Sequence, residues 1–341
     1  MGALNYIDKK IDNGFSNGMG KDYIISIVRL IALVLIISCH MLQYFRIELA
    51  WWLNVGVQVF LCISGYLYGQ RNTPPEVDFY KQRFKKILIP YYIVFCIASI
   101  IYFLFARNKI SLLLFIKGLL GSSTLNGGGH LWFIRMIITC YILTPLLGKF
   151  RDYYVKDARS FSCFTIICVV LLTLIFGSYA NSLLNPAWIG CYVIGYCLGI
   201  NERINYISWK TLLTVITVPT ILGNGIQIYI NYIAKIKFSG MTNFFYRYFQ
   251  DYNHVFLGVF IFMLLKIILE NKQIGKNVRM LLDLSDTYSY ETYLVHQFII
   301  LGPFSLMALT HSLLVNIIII LLGIGLLTLM LKKIKDLIKE Y

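Results

Sequence analysis

Apolar residues run through this chain in long blocks broken by short polar connections. Ten blocks are legible: Tyr23–Tyr44, Trp51–Gly69, Ile87–Ala106, Leu131–Gly148, Phe161–Tyr179, Ala187–Ile200, Leu212–Ile233, His254–Leu269, Tyr288–Leu309 and Leu313–Leu331. A segment facing lipid must satisfy its own backbone hydrogen bonds, so apolar runs of ~17–25 residues are read as transmembrane helices. The sixth block is short for a span. Leu112–Leu120 reads as a small interfacial helix. Before Tyr23 the chain is polar and rich in Gly and Asn, with no apolar stretch that would make a signal peptide. The pattern predicts an all-α, polytopic integral membrane protein of about ten helices. A cytoplasmic tail over residues 1–22 precedes a membrane domain over 23–331, and a basic cytoplasmic tail follows over 332–341.

Composition agrees and removes the soluble classes. Hydrophobic residues make up 58% of the 341 positions and charged residues 14%, with a mean hydropathy of +0.69. A soluble fold has no means of hiding so much apolar surface under so thin a polar coat. The net charge of +15 would otherwise suggest nucleic acid. Here it is sorted by side. With the N-terminus inside, 21 of the 31 Lys and Arg residues fall on the cytoplasmic side and seven on the outer side, including Arg107, Lys109 and Lys117. Arg29, Arg135 and Lys266 lie within spans. That asymmetry predicts ten spans with both termini cytoplasmic, and no nucleic-acid partner. The eight cysteines all fall in apolar runs, without a C-x-x-C pair or metal-ligand spacing, and read as small hydrophobes.

An ionisable side chain within a span is costly, and each is a functional candidate. Arg29 and His40 stand eleven residues apart in the first span. At 100° and 1.5 Å per residue they share one helix face, about 16 Å apart along the axis. The bland reading is that Arg29 snorkels to the inner headgroups and His40 bonds a backbone carbonyl.

Arg29, ten intervening residues and His40 resemble the first-span signature of the membrane-bound acyltransferase 3 family. Four further segments resemble that family in the same order. They are Gly56-Val57-Gln58-Val59-Phe60-Leu61-Cys62-Ile63-Ser64-Gly65-Tyr66-Leu67; the basic run Arg83-Phe84-Lys85-Lys86 leading into Ile89-Pro90-Tyr91; His130-Leu131-Trp132-Phe133-Ile134; and Ser289-Tyr290-Glu291-Thr292-Tyr293-Leu294-Val295-His296. The basic run departs from the family by carrying Lys86 where a second arginine is usual, and Val28 precedes Arg29 where the family has leucine.

The resemblance implies transfer of an acyl group, usually acetyl, from a cytoplasmic coenzyme A thioester to a hydroxyl of a cell-surface or lipid-linked glycan, in the plasma membrane of a bacterium. It implies acetyl-CoA as co-substrate and no tightly bound cofactor or metal. In that chemistry a neutral His in a poorly hydrated pocket suits a general base, and the same His could instead carry the acyl group as nucleophile. His40 is the candidate. Arg29 suits phosphate or pantetheine carbonyl oxygens, and Arg83 and Lys86 suit the nucleotide phosphates. His130, after the flexible-looking Gly127-Gly128-Gly129, with Trp132, Arg135, Tyr293 and His296, is assigned to the acceptor side or a gate; Arg135 would hold an acceptor phosphate or a partner carboxylate. Trp51, Trp52 and Trp132 are expected to gather at the outer surface as membrane anchors. His254 and His311, at span ends, are expected to be interfacial. The alternative is a transporter or flippase of a glycan or small metabolite, because buried Arg and His suit a permeation path equally well.

Overall fold

The computed structural model describes residues 21–105, 111–153, 158–180, 185–205 and 207–340. Nearly all of the predicted N-terminal tail lies outside the described residues, as do Arg107, Lys109 and Lys156. The helices are α1 (Tyr23–Tyr44), α2 (Leu49–Leu53), α3 (Gly56–Gly69), α4 (Glu76–Phe105), α5 (Leu112–Leu119), α6 (Trp132–Tyr153), α7 (Ala158–Ala180), α8 (Pro186–Ile204), α9 (Trp209–Ile228), α10 (Gly240–Leu269), α11 (Lys276–Ile300) and α12 (Leu313–Glu340). A 3-10 turn, Gly129–Leu131, leads into α6, and a π-helical turn, Tyr229–Ile233, extends α9. The chain is an all-α, polytopic membrane protein.

Each predicted block holds a helix, and the departures have physical causes. The second block is a broken helix, α2 and α3, interrupted at Asn54 and Val55. α4 and α10 start well before their apolar runs, because a charged or aromatic lead-in extends a helix once the span has nucleated it. Much of the stretch between the seventh and eighth blocks, 234–253, is therefore helical. The ninth block is cut short: α11 ends at Ile300, Leu301 is extended, and Gly302 takes a positive φ of 86°. Hydropathy alone had carried it to Leu309. α12 runs on through the basic residues to Glu340. Seven helical stretches are by themselves long and apolar enough to cross a membrane. Among the described residues α7, of which the apolar part is Phe161–Thr173, α8 and α11 fall outside these seven. α8 is buried along nearly its whole length, and α11 turns Glu291, His296 and Gln297 inward, so neither needs an apolar coat all round.

The centre of the bundle is the contact of α3 with α8, flanked by α1, α7 and α10. Small residues allow it. A Cβ on Gly65 would overlap the carbonyl oxygen of Tyr192, and one on Gly195 would overlap that of Cys62. In lipid, where helices gain nothing from expelling water, such close backbone packing holds them together. Gly65 belongs to the Ser64-Gly65-Tyr66 segment, so part of that motif is a packing requirement. Gly195→Ala should cost about 1–3 kcal/mol, since backbone atoms have nowhere to retreat. A lowered unfolding midpoint in detergent would report it. Gly225→Ala in α9, where nothing lies within 4 Å, is the control and should be neutral or stabilising.

Candidate active site

α1 buries the face that carries Ile25, Val28, Ala32, Ile36 and His40, packing it on α3 and α11. This places His40 against two other histidines. The ring centroids of His40 and His296 are 5.1 Å apart, those of His130 and His296 4.9 Å, and those of His40 and His130 6.4 Å. The three side chains are 7%, 0% and 3% exposed for His40, His296 and His130. The helical periodicity put Arg29 and His40 on one face, and the structure keeps them there. It adds what no single segment reveals, that His130 and His296 join His40 in one cluster.

The hydrogen bonds orient the rings. His296 Nδ1 lies 2.7 Å from the Tyr293 carbonyl oxygen, which only accepts, so Nδ1 carries the proton and Nε2 the lone pair. That Nε2 is buried and has no partner among the described residues. His130 is clamped. Its backbone N–H and its Nδ1 both reach Gln297 Oε1 at 2.6 Å, its Nε2 lies 3.0 Å from the Leu294 carbonyl oxygen, and its own carbonyl accepts from the Tyr293 hydroxyl at 2.5 Å. The backbone donor fixes the Gln297 amide, whose nitrogen then faces His40 Nδ1 at 3.2 Å. Gln43 Oε1 lies 2.7 Å from the same Nδ1. The nearer Gln43 oxygen only accepts, so Nδ1 carries the proton and donates to it. The more distant Gln297 amide N–H is then a neighbour of Nδ1 and not its donor, and the lone pair for chemistry is on Nε2.

The triple glycine before His130 is a close contact with α11. Gly127, at φ 79°, abuts Leu301 and Gly302; Gly128 lies under the Phe298 ring; and Gly129 faces Gln297. Side chains there would lift His130 off Gln297. Tyr293 and His296 share a face as predicted, while Glu291 points away to an ion pair with Lys335 of α12. Among the described residues no group of three His, Cys, Asp or Glu side chains is placed to hold a metal ion.

Below the histidines lies a cavity of about 360 Å³. Arg71, Arg83 and Lys86 line one end; Phe60, Ser64 and Ile137 line its middle; Ile36, Phe133 and Tyr293 close it under the cluster. The histidines themselves do not line it. Phe133, Ile137 and Tyr141 stand four residues apart on α6, so one face of that helix walls the cavity. Arg29 reaches it with Asp286, whose Oδ1 is 2.6 Å from Arg29 Nη1. Asp286 also accepts from Ser26 at 2.6 Å and pairs with Lys21 at 2.8 Å. The Arg83 guanidinium sits over the Tyr68 and Phe79 rings, 5.4 and 5.9 Å from their centroids, and its Nε is buried without a partner among the described residues.

Not every sequence candidate comes to this place. Arg135 is two residues past Phe133, a rotation of about 200°, and lies on the far side of α6. Trp132 pairs with Trp188, ring centroids 4.1 Å apart, and does not join Trp51 and Trp52. Trp51 stacks at 3.5 Å on His254, which is buried. The loop between α1 and α3 folds Trp51 back onto α10, a contact invisible to a reading of span ends. His311 is exposed. Sequence reasoning missed Asp286, Gln43, Gln297 and Arg71. Gln43 stands one helical turn after His40, and Asp286 lies at the polar start of the ninth block. Those positions were the available signal.

The model of the acyltransferase domain that defines the acyltransferase 3 family matches residues 22–332. No curated protein and no solved structure matches the chain. The match spans every helix described above except the last turns of α12, and takes in the Arg29–His40 face, the basic cavity mouth and the histidine cluster. The chain therefore belongs to the acyltransferase 3 family and is a membrane acyltransferase.

Proposed function

We propose that this protein is a membrane O-acyltransferase that moves an acetyl group from acetyl-CoA to a hydroxyl of a cell-surface or lipid-linked glycan. In this reading it sits in the plasma membrane of a bacterium, with ten spans, both termini cytoplasmic, and no tightly bound cofactor. The observation that carries the reading is the cavity: cationic at one end, apolar and aromatic along its length, and closed under three buried histidines. A coenzyme A thioester has the matching order, with phosphates at one end, a slender pantetheine arm, and the reactive carbonyl at the tip.

The chemistry then divides along the cavity. Arg83, Lys86 and Arg71 receive nucleotide phosphates through charge-assisted hydrogen bonds. Arg29, held by Asp286, offers its remaining donors to a phosphate or a pantetheine carbonyl. His40 donates through Nδ1 to Gln43 and presents the lone pair of Nε2. The acceptor hydroxyl attacks the thioester carbonyl while Nε2 takes its proton. The carbon–sulfur bond then breaks, and the imidazolium returns the proton to the departing thiolate. Tyr293 and Phe133 stand between the cavity and the rings, so their movement admits the acyl tip.

The test is transfer of label from radiolabelled acetyl-CoA to glycan in membranes with and without the chain. Absence of any chain-dependent label in glycan would overturn the transfer of acetyl to a glycan proposed here. For the donor end, Arg83→Ala combined with Lys86→Ala should raise the donor KM at least tenfold with little change in kcat, since each charged contact contributes about 1.5–3 kcal/mol. An unchanged donor KM would remove this mouth from nucleotide binding.

A further inference from the structure

Cations embedded in this bundle come with carboxylates. Arg29 meets Asp286 at 2.6 Å, Lys266 meets Glu202 at 3.1 Å, and Lys335 meets Glu291. Arg83 and Arg135 depart from this: Arg83 opens on the cavity already described, whereas Arg135 does not line it. Arg135 stands three residues into α6, about 4.5 Å below Trp132 along the axis. Its Nε and Nη1 are buried with no hydrogen-bond partner among the described residues. No described carboxylate reaches it. Its titratable neighbour is Tyr91, whose hydroxyl is already committed to the Gly118 carbonyl oxygen at 2.6 Å. Guanidinium nitrogens withdrawn from water without an acceptor are disfavoured, and in a membrane protein they call for an anion.

The surroundings indicate which anion. Side chains on a helix lean toward its N-terminal end, so the Arg135 guanidinium is carried toward the end of α6 where Trp132 sits, near headgroup level. Gly121 packs on its stem: a Cβ there would lie 3.1 Å from Arg135 Cγ. Gly121 stands just after α5, at the start of the connection to α6, and α5 turns Leu112, Leu113 and Ile116 outward. A guanidinium with two nitrogens buried and unpartnered among the described residues thus lies beside a short helix with an exposed apolar edge, on the face of α6 opposite the cavity.

We infer that Arg135 anchors a lipid-phosphate site, with the phosphate held by the guanidinium and the lipid's chains lying along the exposed side of α5. The fork offers parallel donors to two phosphate oxygens. The inference goes beyond the transfer reaction and holds whether or not His40 does the chemistry proposed for it. Two lipids could present this group: a glycerophospholipid of the bilayer, or a polyprenyl phosphate of the kind that carries glycans.

The experiment uses the full chain, delipidated in mild detergent, titrated by native mass spectrometry with phosphatidic acid and polyprenyl monophosphate. Diacylglycerol and polyprenol are the phosphate-free counterparts. Wild type should bind at least one phosphate-bearing lipid tenfold or more tighter than its counterpart, and Arg135→Gln should lose that preference. A preference for phosphatidic acid supports a bilayer-lipid site; a preference for polyprenyl phosphate supports a seat for the carrier lipid. Equal binding with and without phosphate, or a preference undiminished in Arg135→Gln, overturns the inference. Should that variant fail to accumulate, a photoreactive phosphatidic acid on wild type decides: crosslinks in 112–121 support the site, and crosslinks confined to other segments overturn it.

Discussion

His40→Ala inserts and accumulates like the wild-type chain but transfers acyl groups about 10²–10⁴ times more slowly, the usual contribution of a positioned general base. The expectation rests on place and partners. His40 is 7% exposed, sits within 5.1 Å of His296 ring to ring, and is held through Nδ1 by Gln43. Losing a side chain at the edge of a polar cluster removes little packing, so stability should change far less than rate. The measurement is acetyl transfer in membranes at matched protein level. Near-wild-type transfer would sink the assignment. A second substitution refines it: Gln43→Ala removes the acceptor that keeps the proton on Nδ1, and should lower kcat while leaving the donor KM unchanged. Equal rates in Gln43→Ala and wild type would mean that this amide does not set the tautomer.

Arg29→Lys is expected to cut transfer at least tenfold, about 1.4 kcal/mol of lost transition-state binding, and Arg29→Ala to cut it further. A snorkelling anchor would tolerate lysine, since both residues carry a long stem and a charge. Arg29 instead has two duties: one nitrogen meets Asp286 Oδ1 at 2.6 Å, and the remaining donors face the cavity. An ammonium is a point charge without the planar fork that can serve both. Asp286→Asn gives an independent check. It keeps the shape but removes the charge that fixes the guanidinium, so it should reproduce part of the Arg29→Lys defect. If Arg29→Lys transfers like wild type, the guanidinium is an anchor alone.

Whatever depends on spacing within one segment was readable in the chain. The blocks of apolar residues specify helices because a backbone in lipid has no other partners. The helical repeat puts Arg29 and His40 on one face, and Tyr293 and His296 on another, with no knowledge of neighbours. The ordered motifs point to the acyltransferase 3 family, which the match over residues 22–332 shows.

Whatever depends on which helix meets which was decided by the tertiary structure alone. His40, His130 and His296 come from three distant segments and meet because α1 and the glycine turn before α6 both pack on α11. Asp286 becomes the partner of Arg29 for the same reason. The sequence shows that Arg135 and Phe133 lie on opposite sides of a helix, but not which side walls a cavity. Helix ends were misjudged where apolar composition and helical backbone part company, as at Leu301. Association of helices in a membrane is set by close fits, such as Gly65 and Gly195 between α3 and α8, and by matched polar pairs. Each such fit has two halves, and a single segment of sequence displays only one of them.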